Sequence, residues 1–184
     1  MAGMSGQFRR LGGERRFSGH VIELWEDSFE APDGTVFRRE IVRHPGAVVV
    51  VPVTDDGHVV MIRQYRATVD RFLLEMPAGL LDHPGEPLEE AARRELREEV
   101  GLEADSLERL CETLHSPGFS DEKIVIFLAR GLRSVASDRQ GPEENHLEEV
   151  RVPIAEAEAW VADGSVQNAA AVIGLLMTAT RLRT

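Results

Sequence analysis

The chain has 184 residues, with 32 Asp and Glu against 21 Lys and Arg and a formal net charge of −11. This length supports one domain with a substantial core and room for a small appended element. The acidic balance argues against an electrostatic nucleic-acid binder, which needs clustered Lys and Arg. Cys111 alone excludes an intrachain disulfide framework, no apolar run reaches the length of a membrane span, and the start MAGMSGQFRRLGGERR lacks the apolar stretch of a secretory signal. A soluble, cytoplasmic protein is expected.

Residues 1–16 are rich in Gly and Arg and show no hydrophobic period, which predicts a flexible tail. Residues 17–43 predict a small N-terminal antiparallel β unit. There FSGHVIELWEDSFE supplies one or two strands, Pro32-Asp33-Gly34 a turn, and TVFRREIV an alternating strand. So small a sheet buries little by itself and needs something to pack on. Residues 44–184 then form the main domain. HPGAVVVVPV reads as a buried strand, and HVVMIRQYR as its hairpin partner. Arg63 and Arg66 stand at the end of that strand. A guanidinium is a planar fork that suits phosphate oxygens. The competing reading is a surface ion pair with Glu75 or Asp70.

The segment from Pro87 to Gly101 predicts one amphipathic helix. Proline suits its first turn and glycine the position just past its end. Leu88, Ala91, Ala92 and Leu96 recur at three- and four-residue spacing and form the apolar stripe. Glu95, Glu98 and Glu99, at i, i+3 and i+4, crowd like charges onto one surface, and two of them lie in the last turn, where the helix dipole disfavours them. A divalent cation would turn that cluster into hard oxygen ligands suited to Mg2+. A solvated acidic face tempered by arginine is the alternative. Beyond the helix, LERLCETLHSPGFSDEKIVIFLARGL predicts two strands around a Ser116-Pro117-Gly118 turn. SVASDRQGPEENHLEEVRV contains a mobile acidic loop with Glu143, Glu144, Glu148 and Glu149, and two core-packing helices follow, separated by Gly164.

Gly79, Glu86 and the run Arg94-Glu95-Leu96-Arg97-Glu98-Glu99-Val100-Gly101-Leu102 resemble the signature of the Nudix hydrolases. The match holds at every defined position from Glu86 onward, and six residues rather than five separate Gly79 from Glu86. Pro117, sixteen residues past Gly101, resembles the proline that marks the ADP-ribose pyrophosphatase branch, and SPGFSDE as a whole resembles the matching loop of bacterial ADP-ribose hydrolases.

The resemblance implies a Nudix α/β/α sandwich with a mixed sheet, preceded by the N-terminal β unit and assembled as a homodimer. It implies Mg2+-dependent hydrolysis of ADP-ribose to AMP and ribose 5-phosphate, with two or more Mg2+ ions and Mn2+ able to substitute. Glu95, Glu98 and Glu99 with the Ala78 carbonyl would be the metal ligands. Glu98 would also serve catalysis, and Glu86 would be structural. Arg94 would orient carboxylates. The general base is placed at Glu148, ahead of the strand at Val150–Val152, with Glu149 and Glu144 as fallbacks. Trp25, Arg38, Arg39 and Glu40 of the β unit would be interface or substrate residues, joined by Arg66 and Gly118; for Trp25 ordinary strand decoration is an equal reading. Two other functions stay open. One is hydrolysis of another nucleoside diphosphate sugar, such as GDP-mannose or ADP-glucose. The other is a non-catalytic ADP-ribose sensor.

Overall fold

A computed structural model of the chain describes residues 7–137 and 146–183. The chain divides into two compact units, Met1–Gly46 with Leu114–Lys123 and Ala47–Thr113 with Ile124–Thr184. The second, main unit is built on β4 (Ala47–Pro52), whose six residues are all buried. β4 runs parallel to β9 (Lys123–Ser134), with Ala47 opposite Ile124, and antiparallel to β7 (Ala78–Leu80), with Val49 opposite Ala78. With β8 (Leu102–Leu114) the order is β7-β4-β9-β8.

Strand alternation sorts this sheet's side chains into two layers. Val48 and Val50 join Val125 and Phe127 against Ala91, Ala92 and Leu96 of α1 (Leu88–Val100). Val49 and Val51 join Ile126 and Leu128 against Ala171, Leu175 and Ala179 of α3 (Ala169–Leu182). Each large aliphatic side chain fully buried this way contributes roughly 1.5–3 kcal/mol. Gly174 lets α3 come close, since a Cβ there would stand 2.8 Å from Val51 Cγ2. The short α2 (Ala157–Ala162) follows a 3-10 turn at Ile154–Glu156. The result is the α/β/α sandwich with a mixed sheet.

The apolar run HVVMIRQYR is β5 (His58–Arg66), and its place corrects the hairpin expectation. β4 and β5 share a turn and one bridge, Val53 to Val59, and then part. β5 pairs instead with β6 (Arg71–Glu75) and β10 (Glu148–Pro153) in a second, antiparallel sheet of order β10-β5-β6. β4 has both edges filled by β7 and β9, so no ladder remains for β5. Val59, Met61 and Val152 still reach the α3-side core.

The N-terminal unit holds an antiparallel sheet of β1 (Arg9–Ser18), β2 (Glu23–Glu30) and β3 (Val36–Arg43). Most of β1, up to Arg16, lies in the segment that the sequence predicts as a tail. Its signal is not a hydrophobic period but cross-strand charge: Arg9 pairs with Glu30 at 2.6 Å and Arg10 with Asp27 at 2.7 Å. The unit also extends past the expected 17–43 boundaries, taking in Leu114–Lys123. That segment docks on β3 by a Val42 N–H to Phe119 O bond of 2.7 Å and a parallel bridge between Val42 and Ser120. Among the described residues of this unit, the one buried side chain is a carboxylate, Asp27. Arg10, then Arg43, hold Asp27 below the usual carboxylate range against the opposing effect of burial. Among the described residues no helix is long and apolar enough to cross a membrane.

Candidate active site

Pro87 stands at the N-cap of α1, and its carbonyl accepts the N–H groups of Glu90 and Ala91 at 3.0 Å each. Glu89 and Glu90 in the first turn suit the positive end of the helix dipole. Gly101 closes the helix at φ 61°, a left-handed conformation in which a Cβ is costly, and returns its N–H to Arg97 O at 3.0 Å.

Within that helix Ala91, Glu95 and Glu99 follow one another at i, i+4 and i+8, so two carboxylates continue a buried row. Glu95 is 7% exposed and Glu99 3%. Glu99 Oε2 accepts the Ala78 N–H at 2.8 Å, which joins the helix to β7. Gly79, next along β7, provides a recess, because a Cβ there would collide with the Glu95 carboxyl group. The glycine is therefore required by side-chain space.

Arg94 is the hub of the remaining acids. Its Nε and Nη2 each donate to Glu86 at 3.0 Å, and its Nη1 donates to Glu95 at 2.5 Å and to Glu98 at 3.1 Å. The Glu86 bonds raise the Arg94 pKa further above its ordinary range, and Arg94 in turn holds Glu86 below its own. Arg94 and Glu98 line a groove of about 420 Å³ on the outer face of α1. As placed, no three His, Cys, Asp or Glu side chains among the described residues converge tightly enough to hold an ion. Glu95 and Glu98 turn to Arg94, and Glu99 to the Ala78 N–H. The donor chemistry nevertheless fits a hard divalent cation. Three carboxylates lie within two helical turns, Glu99 on the Ala78 N–H and Glu95 in the recess kept open by Gly79, and each carries several lone pairs.

The other candidates fall in separate places. Arg66 directs its fork at Glu75, with Nη2 to Oε2 at 2.6 Å and Nε to Oε1 at 3.0 Å. The ion pair weighed against phosphate binding is thus present at Arg66. Arg63 pairs with Glu148 at 2.9 Å and lies 4.5 Å over the Phe72 ring. Glu148 begins β10 directly opposite Arg63, while Glu149 reaches Arg151 at 3.0 Å. Glu143 and Glu144 lie outside the described residues. In the N-terminal unit, Arg39 stacks 4.6 Å over Phe37 and shares with Gly118 the wall of a cavity of about 370 Å³. Trp25 donates its indole N–H to Glu23 at 2.7 Å, and Glu40 is exposed on β3 opposite Glu26. Sequence reading missed Asp27, Arg43 and Asp121, which form one ion-pair chain. The available signal was the pairing of an acidic strand, ELWEDSFE, with a basic one, VFRREIVR.

A profile for the NUDIX domain matches residues 43–172. An ADP-ribose pyrophosphatase of Mycobacterium tuberculosis is 42% identical over 92% of this chain and 82% of its own length. One of Bacillus subtilis is 40% identical over 85% and 84%. A crystal structure of an ADP compounds hydrolase superposes with a TM-score of 0.85 at 29% identity, covering 97% of this chain and 96% of the other. Similarity of this extent, running through the α1 carboxylates and the β7 recess that receives one of them, places the chain in the Nudix family.

Proposed function

We propose that this chain hydrolyses ADP-ribose to AMP and ribose 5-phosphate with Mg2+, two or more ions, and with Mn2+ as a substitute. The observation that carries this reading is the set of carboxylates Glu95, Glu98 and Glu99 on one helix, with Glu99 bonded to Ala78 and Glu95 seated against Gly79. The names of the two ADP-ribose pyrophosphatases support the substrate.

Glu95, Glu98, Glu99 and the Ala78 carbonyl would hold the metal, which supplies Lewis-acid neutralisation of the diphosphate and a more acidic water. Arg94 keeps Glu95 and Glu98 oriented through its fork on Glu86. Glu148 takes the proton as water attacks phosphorus, and Arg63 fixes the direction of its carboxylate. The water oxygen bonds to one phosphorus, the bridging P–O bond breaks, and the two products leave as monophosphates. Arg66, Arg39, Glu40, Trp25 and Gly118 bind the substrate. The N-terminal unit, lacking any buried apolar side chain among its described residues, gains cover in a homodimer. A cytoplasmic setting suits a chain whose single cysteine is free.

A second reading, hydrolysis of other ADP-linked compounds, is favoured by the name of the superposed structure. AMP release from ADP-ribose and from a panel of nucleoside diphosphate sugars, with Mg2+, tests both. Activity lost in Glu99→Gln together with metal binding supports the ligand set. Slow turnover by Glu148→Gln with metal and substrate still bound supports the base. Binding of ADP-ribose without AMP release from any panel member would leave the sensor reading in possession.

A further inference from the structure

Asp27 is fully buried in a sheet whose other described residues are half-buried or exposed. Removing such a charge from water is costly unless it is well paired. Here Arg10 engages both its oxygens, Nε to Oδ2 at 2.7 Å and Nη2 to Oδ1 at 2.8 Å, and Arg43 adds Nη2 to Oδ2 at 2.6 Å. Gly13 is part of the arrangement, because a Cβ there would collide with Asp27 Oδ1.

Arg43 is a shared fork. Its Nη1 donates to Asp121 Oδ2 at 2.8 Å, while Asp121 Oδ1 accepts the His44 N–H at 3.0 Å. Asp121 also donates its own N–H to Val42 O at 3.2 Å, beside the Val42 to Phe119 bond. The loop Ser116–Asp121 is therefore tied to the end of β3 by two backbone bonds and one guanidinium, and that guanidinium is aimed by a buried carboxylate. Arg43 and Asp121 line the same cavity as Arg39, Gly118 and Phe119. A neutral apolar filling at position 27 could pack the sheet as well, yet it could not orient Arg43.

We propose that Asp27 is a positioning residue for substrate binding: through Arg43 and Asp121 it fixes the Ser116–Asp121 loop, and so the wall of the cavity bearing Gly118. This rests on the reading that the cavity receives part of the substrate. Asp27 takes no part in bond breaking.

The test is steady-state kinetics of the full chain with ADP-ribose and Mg2+, comparing the parent with Asp27→Asn, Asp121→Asn, the double variant, Arg43→Lys and Arg9→Ala. Asp27→Asn and Asp121→Asn each raise KM about tenfold, the worth of one charge-assisted hydrogen bond, and leave kcat near the parent value. The double variant is no worse than either single one, because both act through one guanidinium. Arg43→Lys raises KM in the same way, since an ammonium cannot fork between two carboxylates. Arg9→Ala, which breaks the Arg9–Glu30 pair in the same sheet, leaves KM unchanged. An Asp27→Asn protein with lowered melting temperature but the parent KM overturns the proposal, as does full additivity in the double variant. If Asp27→Asn fails to fold, Asp121→Asn, whose side chain is 41% exposed, and Arg43→Lys carry the test. Should the parent release no AMP at all, the functional reading has failed instead. Amide exchange at Val42 and Asp121 then decides: faster exchange in Asp121→Asn and Arg43→Lys upholds the positioning role, and unchanged protection ends it.

Discussion

Helices α1 and α3 cover opposite faces of the same two strands, β4 and β9, and contact them through alternate residues of each. α1 has polar side chains nearly everywhere off its stripe and buries two glutamates, Glu95 and Glu99. α3 buries alanine, leucine, glycine and one threonine, and its N-terminus is capped by Asn168, whose Oδ1 accepts the Ala171 N–H at 3.0 Å. Packing against a shared sheet gives both helices a fixed position. Only α1 uses that position to hold charge out of water, and the lesson is that one helix supplies chemistry while the other supplies stability.

The sharpest attempt to break that division is Glu99→Gln. The amide oxygen can still accept the Ala78 N–H, so the fold should persist while the ligand charge is lost. AMP release is expected to fall by several kcal/mol of transition-state stabilisation, about a thousandfold or more. Retained activity, or an unfolded variant by circular dichroism, would undo the contrast. Its counterpart on the other face is Leu175→Ala, at a site with 0% exposure. Denaturant unfolding should show a loss of about 2–5 kcal/mol, with kcat per folded molecule unchanged. Gly79→Ala probes the recess: the displaced Glu95 carboxyl should cost about ten- to a hundredfold in activity or metal affinity, measured by titration with Mn2+. Asn168→Ala removes a cap and should cost α3 about 1 kcal/mol without touching turnover.

The smallest expected effect is in pH. Arg94 holds Glu86 below the ordinary glutamate value of 4.5. The stability this contributes is fully present above that value and is lost as pH falls through the depressed folded one. Urea midpoints followed downward from about pH 6 should therefore lose part of their acid slope in Glu86→Gln, and an identical slope would remove Glu86 from the account.

What the sequence reveals follows the range of the forces involved. α1 and β4 are legible because a 3.6-residue stripe and an unbroken apolar run are local signals. The two C-terminal helices are legible for the same reason, whereas β10 starts at Glu148, two residues ahead of the expected strand at Val150–Val152. β5 was not assignable to its sheet, since its neighbours β6 and β10 compete with β4 and the outcome depends on β7 and β9 filling both edges of β4. β1 escaped because ion pairs to β2 replace hydrophobic alternation. The partner of Arg66 needed the strand register, which sets Ile62 opposite Glu75 and so turns Glu75 toward the Arg66 face. The Asp27 chain needed the register of β1, β2 and β3, together with the return of residues 114–123 to β3.

That return has a consequence for how the protein is made. The first 46 residues leave the ribosome long before Asp121, the partner that Arg43 requires. At about 5–20 residues per second the wait is roughly 4–15 s. During it the nascent sheet carries Arg10, Asp27 and Arg43 but lacks its last strand-like segment, so its final ordering is a late event in synthesis. A cut anywhere between positions 47 and 113 separates the sheet from the piece that finishes it, and no single cleavage site can release the N-terminal unit whole.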